Sequence, residues 1–187
     1  MTKILALSDT HLEKEELPLA ITRLAGVADI ILHAGDFISA QAHAALADLG
    51  RLEAVKGNAD HAELKRLLPE RKIIEVEGIR IGLVHMAFHG SSLVGAEMMA
   101  REMNVGVLVF GHIHRPIVER GERLLICPGS PTLPRMSAPT VAEIDAEKGK
   151  LKVRIVPLGE PTCDYLKFAA SLEAENGGNK PMKRNKF

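Results

Sequence analysis

A chain of 187 residues with 46% hydrophobic and 26% charged content is long enough for one domain with a sizeable core. Lys plus Arg and Asp plus Glu both number 24, so no net field draws the chain to nucleic acid or to a membrane surface. There is no Trp, one Tyr and two cysteines, Cys127 and Cys163, which argues against base stacking and against a disulfide framework and favours a reducing cytoplasm. The apolar run Ile4 to Leu7 is too short for the core of a signal peptide, and no run approaches the ~18 residues of a membrane span.

The first half alternates strand and helix. Lys3 to Ser8 reads as a buried strand, followed by Asp9-Thr10-His11. Glu15 to Val27 has helical spacing, with Leu17, Ile21, Leu24 and Ala25 as its apolar stripe and Pro18 tolerated in the first turn. A strand over Asp29 to His33 ends in Ala34-Gly35-Asp36. A helix over Ser39 to Leu49 follows, with Ser39 as N-cap and Gly50 as a stop signal. Arg51 to Val55 is a third strand, ending at Lys56-Gly57-Asn58, and a short helix, Asp60 to Leu68, stops before Pro69. The β-α-β-α-β order argues a parallel sheet between layers of helix.

The second half opens with a hairpin, Arg71 to Val76 and Ile79 to Val84, around Glu77-Gly78, and its second strand ends at His85. Ser91 to Met103 repeats as a helix, and Val105 to Phe110 is a core strand leading into Gly111-His112-Ile113-His114. Four short strands, Pro116 to Glu119, Arg123 to Cys127, Thr140 to Asp145 and Leu151 to Val156, are separated by hairpin-like turns and read as antiparallel. The expected fold class is α/β, two sheets with helices on their outer faces. Residues 161–175 suit a short C-terminal helix, and the polar, Gly- and Lys-rich stretch 176–187 reads as a disordered tail.

Seven potential ligands sit at or just past strand ends: Asp9, His11, Asp36, Asn58, His85, His112 and His114. On a strand His112 and His114 would share a face; in a turn they would splay. Crowded together, these groups would leave polar atoms unsatisfied at about 1–3 kcal/mol each, and the two carboxylates would repel. Cations resolve that conflict. Mixed imidazole, carboxylate and amide donors suit manganese, iron or zinc rather than copper(I), and seven side chains exceed what one ion can use. Two ions bridged by one carboxylate can use them.

In these residues the sequence resembles the calcineurin-like metallophosphoesterases. The likeness runs in order through Asp9-Thr10-His11, Gly35-Asp36, Gly57-Asn58, His85 and Gly111-His112-Ile113-His114, over about residues 2–158. Within that superfamily it is similar to the small single-domain phosphodiesterases, which have a Pro-Gly-Ser stretch after the double histidine, here Cys127-Pro128-Gly129-Ser130. The resemblance implies one domain over residues 1–160 with a four-layer α-β-β-α sandwich. It implies one ion held by Asp9, His11, Asp36 and His114 and another by Asp36, Asn58, His85 and His112, with Asp36 as the bridge. Asp36, Asn58 and His85 are the residues it brings nearest to catalysis. Manganese is the preferred metal, with iron, zinc or nickel as alternatives. A hydroxide shared by the two ions would attack a small phosphodiester, and homo-oligomers are compatible with the group.

Two departures qualify the likeness. Many relatives have His directly after the motif asparagine, where it can protonate the leaving oxygen; here Ala59 stands there, and His61 lies at a helix start facing elsewhere. After His85 comes Met86-Ala87-Phe88-His89-Gly90, so His89 is an alternative ligand, although His85 directly ends the apolar run. His33 reads as a packed strand-end residue bonded to backbone, His43 as a solvated helix residue, and Cys127 as a small buried hydrophobe. Arg135 suits either substrate phosphate or a surface ion pair. Competing functions are a scaffold of the same fold that binds partner proteins, like the retromer-scaffold relatives, and a nuclease, which ranks below both.

Overall fold

The computed structural model describes residues 1–87, 92–161 and 163. The helix expected over 161–175, apart from Pro161 and Cys163, the tail 176–187 and the alternative ligand His89 lie outside the described residues. Strands β1 (Thr2–Leu7), β2 (Ile30–His33) and β3 (Leu52–Ala54) pair in parallel, and β9 (Thr140–Glu147) and β10 (Lys150–Pro157) extend that sheet antiparallel from β1. Its order is β10-β9-β1-β2-β3. The second sheet, in order β4-β5-β6-β8-β7, comprises β4 (Arg71–Val76), β5 (Ile79–Val84), β6 (Val107–Phe110), β7 (Pro116–Arg120) and β8 (Leu124–Pro128).

Alternation along the strands builds three apolar layers. Ile4 and Ala6 of β1 join Ile30, Leu32, Ile81, Leu83, Val107 and Val109 between the two sheets. Their neighbours Leu5 and Leu7 point outward, with Ile31, against α1 (Leu19–Ala25), α2 (Ala40–Ala47) and α3 (Ala62–Leu67) through Ile21, Ala25, Leu46 and Leu64. On the far side Leu108, Phe110, Leu125 and Cys127 meet Ala96 and Ala100 of α4 (Val94–Glu102). The result is the four-layer α-β-β-α arrangement, with the central strands β1, β2 and β6 apolar on both faces and the outer strands β4 and β10 alternating.

Several elements depart from the expectation for local reasons. The first helix starts at Leu19 because Pro18, at φ −53° and ψ 135°, caps it in an extended conformation and disfavours helix in the residue before it. The second ends at Ala47, and Gly50 takes no left-handed conformation. Ser39 caps it as expected, accepting from Ala42 N at 3.1 Å. The short strands of the second half are not uniformly antiparallel: β8 lies parallel to β6, and β7 turns back along the outer edge of β8. The Glu77-Gly78 and Lys148-Gly149 turns both have positive φ at their two central residues, as tight two-residue hairpins require.

The two sheets are also tied at an edge. Lys72 Nζ on β4 lies 2.6 Å from Glu53 Oε2 on β3, while Arg51 Nη2 lies 2.9 Å from Glu53 Oε1. Burial works to raise the Glu53 carboxyl, but Lys72 and Arg51 outweigh it and hold the group below its ordinary 4.5. A carboxylate depressed on folding contributes stability above the unfolded value, and that contribution is lost as pH falls through the folded value. Glu53→Gln should therefore lower stability by on the order of 1 kcal/mol at neutral pH. Urea unfolding of both proteins across a pH series should show that gap closing below pH 4.5.

Candidate metal centre

The carboxyl ends of β1, β2, β3, β5 and β6 meet at one end of the sandwich, and each delivers a side chain named from the sequence. Their loops are lashed backbone to backbone. Asp9 N donates to Gly35 O (3.0 Å), His11 N to Asp36 O (3.0 Å), and Gly111 N to His85 O (3.1 Å). Asp9, His11, Asp36, His112 and His114 all adopt positive φ, between 44° and 76°. Five of the seven candidate ligands thus occupy a left-handed backbone that L-residues avoid by about 1–2 kcal/mol each. Left-handed residues on both sides of Ile113 realise the splayed alternative for the double histidine.

All seven side chains come together. His114 Nε2 lies 3.3 Å from Asp9 Oδ1 and 3.3 Å from His11 Nε2, which itself is 3.6 Å from Asp36 Oδ2. On the other side, His85 Nε2 is 3.3 Å from Asp36 Oδ2 and 3.0 Å from Asn58 Oδ1, and His112 Nδ1 is 2.9 Å from the same amide oxygen. Asp9, His11 and His114 form one group whose ligand atoms lie within 4.8 Å of one another; Asp9, Asp36 and His85 form a second.

Ring protons decide what this cluster can hold. His85 Nδ1 donates to Ala34 O at 2.8 Å, and His114 Nδ1 donates to Leu133 O at 2.6 Å. In the neutral rings both Nε2 atoms then face the cleft as lone pairs, toward carboxylate and amide oxygens that are also acceptors. Such a convergence of acceptors repels itself unless a cation sits among them, so the donor set fits metal ions. Burial and neighbouring charge pull on these groups in opposite directions. Burial pushes the Asp9 carboxyl up, partly opposed by His85. For Asp36, burial also acts upward, but the His85 hydrogen bond and the Ala59 amide hold it down, and Asp36 in turn raises His85 against its own burial. Burial lowers His11 and His112, keeping both neutral as ligands must be.

Close approach explains Gly57. A Cβ there would fall 2.0 Å from Asp36 Oδ1, so no other residue lets β3's loop reach that carboxylate. Sequence reasoning missed the residues that hold the ligands still. Asp60, 2% exposed and expected on a helix, accepts from Ile38 N (2.9 Å) and Gly57 N (2.7 Å), joining the loops after β2 and β3. Ser130 Oγ donates to Asp9 O (2.6 Å) and accepts from Leu133 N (2.8 Å), and Ser8 Oγ donates to Gly129 O (2.8 Å). The Pro-Gly-Ser stretch was the one available signal, and it proves to be a brace for β1's loop. Both hydroxyls are engaged with backbone carbonyls, as a nucleophilic serine would not be.

Other histidines find different places. His33 is fully buried, shares a 3.1 Å hydrogen bond with Thr10 Oγ1 rather than with backbone, and stacks on Phe37 at 3.5 Å. His43 is half-buried with its edge on Phe37 at 5.3 Å, not solvated. His61 is 57% exposed, and its Nε2 sits 3.7 Å from Glu13 Oε2. Arg135 is exposed, and its side chain makes no ion pair among the described residues. Cys127 is buried, and burial pushes its thiol up, as expected of a packing residue.

A calcineurin-like phosphoesterase superfamily domain matches residues 2–149. The chain belongs to that superfamily. A probable metallophosphoesterase of Methanocaldococcus jannaschii is 34% identical over 159 residues, which cover 82% of this chain and 80% of the relative. The fold is shared at TM-score 0.68 and 19% identity with zinc-complexed Vps29 of Entamoeba histolytica, over 84% of this chain and 99% of that one. It is shared at TM-score 0.63 and 23% identity with an archaeal phosphodiesterase, over 82% and 99%. Among the described residues no helix is long and apolar enough to cross a membrane.

Removing the Asp60 carboxylate strands two loop N–H groups. Asp60→Ala should destabilise the phosphoesterase domain by roughly 2–4 kcal/mol, read as a lower urea midpoint, with weaker retention of divalent metal on dialysis.

Proposed function

We propose that this protein hydrolyses phosphodiesters with two divalent ions held on either side of Asp36. The observation that carries the reading is the convergence of His85 Nε2, Asn58 Oδ1 and Asp36 Oδ2 at 3.0–3.3 Å while the ring proton of His85 is committed to Ala34 O. Asp9, His11, Asp36 and His114 would hold one ion, and Asp36, Asn58, His85 and His112 the other. Nitrogen and oxygen donors without sulfur favour manganese, with iron, zinc or nickel as alternatives. When bound, such ions supply Lewis acidity and a water of lowered pKa.

The chain's own residues prepare that chemistry. Ala34 O and Leu133 O fix the tautomers of His85 and His114 and aim their Nε2 atoms inward. The Ala59 amide holds one oxygen of Asp36 at 2.7 Å, and the His112 amide holds both oxygens of Asp9 at 3.0 and 3.1 Å. Among the described residues no histidine beside Asn58 is placed to donate a proton to the departing oxygen, since Ala59 follows it and His61 Nε2 lies against Glu13 Oε2 at 3.7 Å. A diester is therefore the better substrate when its departing arm is acidic. The balanced charge and aromatic poverty of the chain speak for a small substrate over a nucleic-acid strand.

The likeness in fold to Vps29 supports a second reading, a scaffold that binds partner proteins. Hydrolysis separates the two. With Mn²⁺ added, bis(4-nitrophenyl) phosphate should be turned over faster than the monoester, and Asp36→Asn should leave less than about one hundredth of the rate. An intact fold with no turnover under any divalent metal would favour the scaffold. Replacing the nitrophenyl leaving group by an unactivated alcohol should slow the reaction by at least the roughly 10²- to 10⁴-fold that a general acid would otherwise offset. A rate indifferent to leaving-group acidity would mean that a proton donor has gone unseen.

A further inference from the structure

A cavity of about 400 Å³ opens directly beside Asn58 and His85. Its lining combines apolar Val84, Met86 and Met99 with three cations, Lys56, Lys65 and Arg71, and with Glu70. Two of those cations are already matched: Lys56 lies 3.4 Å from Glu70 Oε1, and Arg71 lies 2.6 Å from Glu102 Oε1. Lys65 is different. Its ammonium donates to the backbone carbonyl of Asn58 at 2.6 Å, and it has no carboxylate partner among the described residues. That contact holds an uncompensated positive charge one residue's width from the candidate metal centre, with two further ammonium protons available to a ligand.

The volume suits one ring-sized ester arm, and the lining suits an apolar body with an anion at its end. We propose that this cavity receives one arm of the substrate and that Lys65 is a specificity-determining residue, selecting phosphodiesters whose arm carries a second negative charge such as a carboxylate or phosphate. The proposal rests on the phosphodiesterase reading above and narrows its substrate class. It gives the helix α3, whose sequence contributes no metal ligand, a part in recognition: Lys65 projects from it toward the loop that carries Asn58.

Two probes of nearly equal size test it, 4-nitrophenyl phosphodiesters whose second arm is a phenyl ring bearing either a para-carboxylate or the neutral primary carboxamide. The native chain with Mn²⁺ should favour the carboxylate in kcat/KM by roughly five- to twentyfold at low salt, the worth of a partly solvated charge-assisted hydrogen bond. Lys65→Met should bring that ratio near one, Lys65→Arg should retain most of it, and Lys152→Met, far from the cavity, should leave it as it is. A native ratio near one, or a ratio that Lys65→Met leaves unchanged, overturns the proposal. So does an equal fall for both probes in Lys65→Met and Lys65→Arg, which would mark Lys65 as only a brace for Asn58. A chain that hydrolyses neither probe defeats the phosphodiesterase reading instead, and the ratio of dissociation constants for the two probes then decides the role of Lys65.

Discussion

Two buried carboxylates, four imidazoles and an amide oxygen share one cleft in which lone pairs outnumber protons, and the rest of the molecule is arranged around that imbalance. Protonation alone relieves little of it. A proton on His85 Nε2 would satisfy Asp36, and the mutual shifts of that pair lean toward such an arrangement. It would leave His114 Nε2 dependent on a proton from the His11 ring 3.3 Å away and the Asp9 carboxylate pushed toward its neutral form by burial. Compact positive charge relieves every contact at once. This is why a donor set of nitrogen and oxygen, with the inward nitrogens of His85 and His114 stripped of their protons by outer hydrogen bonds, is a stronger sign of metal than any single motif.

Holding acceptors against one another needs a stiff frame. The ligands ride on loops between strands that are buried on both faces, and backbone bonds from Asp9 to Gly35, His11 to Asp36 and Gly111 to His85 carry the ladder past the strand ends. Asp60 and Ser130 then spend their side chains on backbone groups of neighbouring loops, so that no ligand loop depends on its own sequence alone for its shape. Gly57 acts in the opposite way, by having no side chain where Asp36 must come close.

Much of this was legible in the residues. The runs at Ile4 to Leu7, Ile30 to Leu32 and Val107 to Phe110 are apolar throughout because both faces are buried, and within a few residues each leads to a side chain with metal-ligating chemistry. Turn chemistry was equally open at Glu77-Gly78. What stayed hidden depends on contacts distant in the chain. Nothing local marks Asp60 as a tie between Ile38 and Gly57, or His43 as an edge against Phe37. The parallel pairing of β8 with β6 arises because β7 claims the outer edge, a choice among neighbours that hairpin spacing does not encode. Pro18 suits the first turn of a helix, but the backbone places it just ahead of that turn, as the N-cap.

A shared sandwich says little about what its loops do, and the likeness to both Vps29 and a phosphodiesterase makes that plain. The backbone offers a sharper criterion. Asp9, His11, Asp36, His112 and His114 hold left-handed conformations that glycine would occupy without penalty. A protein that needed only the outline of this fold would be more stable with glycine in those places. Retaining five side chains there carries a penalty on the order of several kcal/mol, a sizeable share of a domain's whole stability. Strain of that size persists where the side chains themselves are used, and each of these five points its polar atoms into the same cleft. What separates a metal-holding site from the bare outline of this fold is the cleft's contents, not its architecture, because divalent cations must be gripped by side chains.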